Sequence, residues 1–231
     1  MQHLLLLHGA IGSKEQLKQL DELLSLHYTV HRINLRGHGG SDFSGIAFSI
    51  QQFCEEVLEY LIANNIKQAN IFGYSMGGYV GMYLAKNYPN KINKLITLAT
   101  KFHWDEPTAT KEVSMLDAAK IEEKIPAFAE VLKERHQPQN WKIVLQKTSD
   151  MLIQMGNNNP LQQKDYQTVK HPVLLMLGDR DKMITLDETL HVFKELPNAQ
   201  LSILPATSHP IEKINNERLV FEITAFIEKE L

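Results

Sequence analysis

Apolar positions along the chain switch repeatedly between two periods. Compact apolar runs at residues 4–7, at Tyr28, Val30 and Ile33, at Ala69, Ile71 and Phe72, and at Ile92, Leu95, Ile96 and Leu98 read as buried strands. Between them, apolar residues recur at three- and four-residue spacing: Leu17, Leu20 and Leu24; then Phe53, Val57, Leu58 and Leu61; then Tyr79, Val80, Met82, Tyr83 and Leu84. Ser13 with Gln16 and Ser49 with Gln52 form capping patterns at the starts of the first two helices, Asn64-Asn65 ends the second, and Tyr88-Pro89 stops the third. Such alternation predicts a parallel sheet with helices on both faces and ligands bound outside the carboxyl ends of the strands.

The rhythm breaks over residues 101–169. There Asp105-Glu106-Pro107 predicts the start of one helix, Pro126 a second, and Pro138 a third that carries Trp141, Val144, Leu145, Thr148, Leu152 and Met155 up to Gly156. Alternation resumes with a strand at 172–177 that ends in Gly178-Asp179-Arg180-Asp181. A helix capped by Thr185 and Glu188 follows, then a strand with Leu201, Ile203 and Leu204, the loop Pro205-Ala206-Thr207-Ser208-His209-Pro210, and a closing helix with Leu219, Ile223, Phe226 and Ile227. The expectation is a doubly wound α/β fold. Six parallel strands in the order 2-1-3-4-5-6 form a core from residues 1–100 and 170–231, and residues 101–169 are a helical lid over the carboxyl edge of the sheet.

Composition narrows the classes of function. A net charge of −3 with no basic cluster gives no electrostatic reason to expect nucleic acid or an anionic membrane as a partner. The single cysteine, Cys54, excludes an internal disulfide and a multi-cysteine zinc site, and no histidine pair has helical i, i+4 ligand spacing, so no metal or cofactor is expected. The apolar run at 4–7 is too short for a signal peptide. A cytoplasmic protein acting on a small molecule is the reading that remains.

The chemistry centres on Gly73-Tyr74-Ser75-Met76-Gly77-Gly78, set between a strand and a helix. A serine at that sharp turn stands clear of the sheet edge, beside helix N–H groups that favour developing negative charge. A serine hydroxyl needs a base, and the base needs a carboxylate. His209 lies just past the last strand on the same edge. His8 and His38 share that edge and are rivals by position, whereas His27, His31, His136, His171 and His191 lie elsewhere. Asp179 and Asp181 both follow the preceding strand.

With these motifs the chain resembles the α/β-hydrolase family from residue 8 to residue 210. His8-Gly9 resembles the family's His-Gly, which implies the N–H groups of Ala10 and Met76 as oxyanion donors. Arg36-Gly37-His38-Gly39-Gly40-Ser41 resembles a structural family loop, which demotes His38, and Gly178-x-x-Asp181 favours Asp181 over Asp179. The resemblance therefore implies Ser75, Asp181 and His209 as a catalytic triad. Two departures stand out: Ser208 occupies a place where Gly commonly precedes the histidine, and the two-stranded hairpin that usually precedes the His-Gly strand has no room.

The implied activity is a serine hydrolase acting on a largely apolar carboxylic ester, with Phe102, Trp104, Met151 and Met155 as substrate-binding candidates. Met115, Leu116, Trp141 and Leu152 are further lid residues able to line the pocket. The same resemblance also covers carbon–carbon bond hydrolases and lyases, including the menaquinone-pathway lyase, as well as cofactor-free perhydrolases and non-catalytic ligand binders. Lyases with acidic substrates call for pocket arginines, and the lid contains one, Arg135.

Overall fold

The structure, a computed structural model, describes residues 1–42, 45 and 47–229. Six strands, β1 (His3–Leu7), β2 (Thr29–Arg32), β3 (Ala69–Tyr74), β4 (Ile92–Leu98), β5 (Val173–Gly178) and β6 (Ala199–Leu204), form one sheet in the order β2-β1-β3-β4-β5-β6. Every pairing is parallel. The expected strand order and the wholly parallel sheet are both found, with no strand preceding β1 among the described residues.

Alternate residues of the strands feed two hydrophobic layers. Leu5, Leu7, Ile71, Leu95 and Leu175 pack under α2 (Ile50–Ala63), α3 (Met76–Asn87) and α9 (Leu186–Glu195). Their strand neighbours Leu4, Leu6, Phe72, Ile96, Leu174 and Met176 pack under α1 (Lys18–Leu24) and α10 (Asn216–Glu228). Burial on both faces explains why the central strands read as continuous apolar runs. Residues 4–7 have no exposed surface, and each such leucine contributes about 1.5–3 kcal/mol of transfer free energy. Lys94 on β4 extends this layer by donating to the carbonyls of Phe226, Ile227 and Lys229, the unpaired acceptors at the end of α10.

Between β4 and β5 lie five helices rather than three: α4 (Glu106–Val113), α5 (Ala118–Lys124), α6 (Pro126–His136), α7 (Trp141–Asn157) and α8 (Gln163–Tyr166). The two missed helices have seven and four residues, too short for an apolar stripe to repeat. The third expected helix begins at Trp141 rather than at Pro138, because the Asn140 side chain accepts from Lys142 N and so acts as N-cap. Trp141 packs into a small separate core with Ile121, Ala129, Leu132 and Leu145. No helix among the described residues is long and apolar enough to cross a membrane.

Candidate active site

At the end of β3 the chain reverses into α3 through Ser75, whose φ of 51° and ψ of −117° lie where non-glycine residues are rarely found. Strain of this kind costs on the order of 1–3 kcal/mol and persists only when surroundings enforce it. Here the enforcement is close packing. A Cβ on Gly73 would lie 2.3 Å from the carbonyl oxygen of Gly77, and one on Gly77 would lie 2.4 Å from that of Leu7, so the strand, turn and helix meet at a separation only glycine allows. Ser75 N donates to Leu98 O at 2.8 Å, which pins the turn to β4.

The β1 loop passes directly over this turn: a Cβ on Gly9 would come within 3.2 Å of the Ser75 Cβ. Ala10, Ser75 and Met76 all line a cavity of about 340 Å³, within the range of small-molecule sites. His209 lines the same cavity. Its Nδ1 donates to Asp181 Oδ2 at 2.7 Å, which fixes the tautomer and leaves Nε2 with a lone pair. The other Asp181 oxygen accepts from Met183 N at 2.8 Å and Ile184 N at 2.9 Å. Burial pushes the Asp181 pKa up, but the hydrogen bonds from His209 and these two amides outweigh it, and the net displacement is downward. Tyr74 donates to the His209 carbonyl at 3.0 Å and holds the histidine loop against β3.

Asp179 instead accepts from Thr207 N at 3.0 Å and serves the loop backbone. His8 and His38 are tied to the scaffold. Leu35 N–H donates to His8 Nε2 at 3.1 Å, so His8 carries its proton on Nδ1, which donates to Gly9 O. His38 Nδ1 donates to Arg36 O. Burial lowers both pKa values, that of His8 to about 4.

Trp104, Met151 and Met155 line the cavity, as do Met115, Leu116 and Leu152. Phe102 does not. It is buried against Tyr79 and Tyr166 and borders a neighbouring, more polar cavity, because Glu188 accepts from both Phe102 N and His103 N and turns the segment away from Ser75. Trp141, drawn into the separate core with Ile121, Ala129, Leu132 and Leu145, is likewise absent from this wall.

Two cations line the cavity, and each has carboxylate partners that sequence reasoning missed. Arg135 Nη2 lies 3.2 Å from Glu212 Oε1. Lys101 Nζ lies 3.4 Å from Glu112 and 3.8 Å from Glu188, and it donates to Met183 O at 2.8 Å. Nothing in the sequence marks Glu112 or Glu212, which look like ordinary surface acids. No group of three or more His, Cys, Asp or Glu side chains able to hold a metal occurs among the described residues.

Comparison with known proteins agrees with this architecture. The chain is 26% identical over 246 residues to a Bacillus subtilis (strain 168) protein named as a 2-succinyl-6-hydroxy-2,4-cyclohexadiene-1-carboxylate synthase, covering 95% of this chain and 87% of that one. It is 23% identical over 240 residues to a Haemophilus influenzae protein named as an esterase/lipase, covering 98% and 83% respectively. Among solved structures, a hydrolase from Pseudomonas aeruginosa PA01 superposes with a TM-score of 0.80 at 19% identity, over 99% of this chain and 90% of that one. Residues 2–123 match the family described as the alpha/beta hydrolase fold, which is more than half of the chain, and the protein belongs to that family.

Proposed function

We propose that the protein is a serine hydrolase that cleaves a neutral, largely apolar carboxylic ester through an acyl-enzyme. The observation that carries this reading is that strained Ser75 and His209 line one cavity, with His209 hydrogen-bonded to Asp181 at 2.7 Å. In the first half-reaction Ser75 Oγ attacks the ester carbonyl carbon while His209 Nε2 takes the seryl proton. The carbonyl π pair moves to oxygen, where the N–H groups of Ala10 and Met76 receive it. Collapse expels the alcohol, protonated by His209, and water then repeats the sequence to release the acid. Asp181 keeps the His209 tautomer that leaves Nε2 free to act.

Residues 101–169 act as the lid of this site, and their Met115, Leu116, Met151, Leu152 and Met155 make the acyl wall. The preference for a neutral substrate rests on Arg135 and Lys101. Their charges are met by Glu212, Glu112 and Glu188, so a carboxylate brought into the cavity would find no unneutralised cation and would lose hydration without compensation. A second reading, a lyase acting on an acidic substrate, draws on the Bacillus subtilis relative and on the presence of Arg135 in the cavity wall.

The test is fluorophosphonate labelling with mass-spectrometric mapping, run beside turnover of p-nitrophenyl esters of graded acyl length. Label on Ser75, absent in Ser75→Ala together with turnover, is the expected result. An unlabelled wild-type serine, or a Ser75→Ala protein that keeps its esterase rate, would overturn the reading.

A further inference from the structure

Two adjacent lid side chains converge on one backbone carbonyl next to the proposed oxyanion donors. Ile11 follows Ala10 and has φ of 51°, a left-handed conformation that β-branched residues rarely adopt. Its carbonyl accepts from Arg135 Nη1 at 3.1 Å and from His136 Nε2 at 3.1 Å, both in the last turn of α6. The His136 ring is itself fixed, because Gly39 N–H donates to its Nδ1 at 3.2 Å and Nε2 must then carry the proton. Burial, reinforced by the nearby Arg135 charge, outweighs the Ile11 hydrogen bond and lowers the His136 pKa to about 4, so the ring is neutral near pH 7. Arg135 reaches in a second direction, to Glu212 on the segment three residues past His209. Gly12 N donates to Gly9 O at 3.1 Å and closes the turn around Ala10.

We propose that Arg135 and His136 are positioning residues for the oxyanion hole: by gripping the Ile11 carbonyl they hold the 9–12 turn in the strained form that presents the Ala10 N–H. The inference rests on the reading of Ala10 and Met76 as oxyanion donors. It makes lid docking and oxyanion-hole assembly one event. Without the two donors, Ile11 relaxes toward negative φ and the Ala10 N–H moves off its target. Through Glu212, Arg135 also ties the oxyanion turn to the loop that carries His209.

The experiment compares Arg135→Met and His136→Phe with wild type for kcat and KM on a p-nitrophenyl ester, and for inhibition by a trifluoromethyl ketone and by its matched carboxamide. The ketone carbon bonds to Ser75 Oγ, the seryl proton passes to His209, and the carbonyl π pair becomes an oxyanion in the same hole. The carboxamide binds without that addition. Expected are a kcat loss of about ten- to hundredfold, an equal rise in the ketone Ki, and changes below about threefold in KM and carboxamide Ki. His136→Gln, which keeps a donor and an acceptor, and Arg135→Lys, which keeps one cationic donor, should recover part of the loss and serve if the larger changes prevent folding. A fall in thermal midpoint with kcat unchanged, or ketone and carboxamide Ki values that move together, would overturn the inference. Labelling of wild-type Ser75 separates the two levels of failure: no label defeats the triad reading, whereas label with variants that keep their kcat defeats only this inference.

Discussion

Two groups of histidines lie at the carboxyl edge of the same sheet, and their surroundings send them in opposite directions. His209 faces the cavity with Asp181 behind it. His8, His38 and His136 pack ring against ring, with centroids 5.2 Å apart for His8 and His38 and 6.0 Å for His38 and His136. Their hydrogen-bond partners are backbone groups, and burial keeps all three rings neutral. A carboxylate partner lets an imidazole accept and return a proton; a backbone partner in a desolvated site makes it a fixed strut. What separates a candidate base from a scaffold residue is therefore the group behind the ring, since His8, His38 and His209 all occupy loops at the same edge.

The largest test of this contrast removes the carboxylate. Asp181→Asn should lower kcat by about 10⁴-fold, since the amide can present its N–H to His209 Nδ1 and favour the wrong tautomer. Asp179→Asn should cost less than about threefold, because that residue serves the loop amides of Ala206 and Thr207 and not His209. A greater loss for Asp179→Asn in the same kinetic assay would exchange their roles.

The strut histidines should also appear in the pH dependence of stability. Because His8 and His136 have folded pKa values near 4, below the ordinary 6.5, the unfolded chain binds more protons between those limits. Stability is thus fully present above about pH 6.5 and falls as pH drops toward 4, by about 2 kcal/mol per histidine between pH 7 and pH 5. Urea unfolding at the two pH values measures this. His136→Phe should shrink the difference by about one histidine's share, and an unchanged difference would remove His136 from the account.

Cavity charge offers a smaller effect. Matched neutral and carboxylate-bearing esters should differ by about tenfold in kcat/KM in favour of the neutral one. Glu212→Gln, which leaves Arg135 unneutralised, should narrow that gap by about threefold. A wild-type preference for the charged ester would instead favour the lyase reading.

The smallest effect belongs to His38. Its Nε2 has no hydrogen-bond partner among the described residues, and its ring lies against Phe48 and Phe53. His38→Phe should leave kcat within about threefold and lower stability by about 1–3 kcal/mol through loss of the bond to Arg36 O. A large kcat loss with stability intact would return His38 to the list of candidate bases.

Local pattern was enough for the sheet. Burial on both faces writes a strand as an apolar run, as at residues 4–7, and the two-residue period divides those side chains between layers without reference to distant contacts. The turn at Ser75 was legible because its glycine pattern is local, although only Gly73 answers a short-range clash, with the Gly77 carbonyl, whereas Gly77 makes room for Leu7 of β1. The capping residues Ser49 and Thr185 also act within one helical turn. The helical segment 101–169 was only partly legible. Helices of seven and four residues carry too little periodicity, and Trp141 could equally have faced the cavity or its own small core until Ile121, Ala129 and Leu132 were brought beside it.

By itself, then, the sequence determined the alternation of strands and helices, the strained serine turn, and the set of histidines and aspartates at one edge, because each depends on neighbours within a few residues. Only the tertiary structure decided between Asp179 and Asp181 by geometry, moved Phe102 out of the serine's cavity, matched Arg135 to Glu212 and Lys101 to Glu112, and set His136 against Ile11, 125 positions away. Those outcomes are contacts between groups separated by more than a helical turn or a tight loop. Their partners are fixed by how the loops after β5 and β6 meet and how the 101–169 helices pack on the sheet, and no local period or propensity encodes that packing.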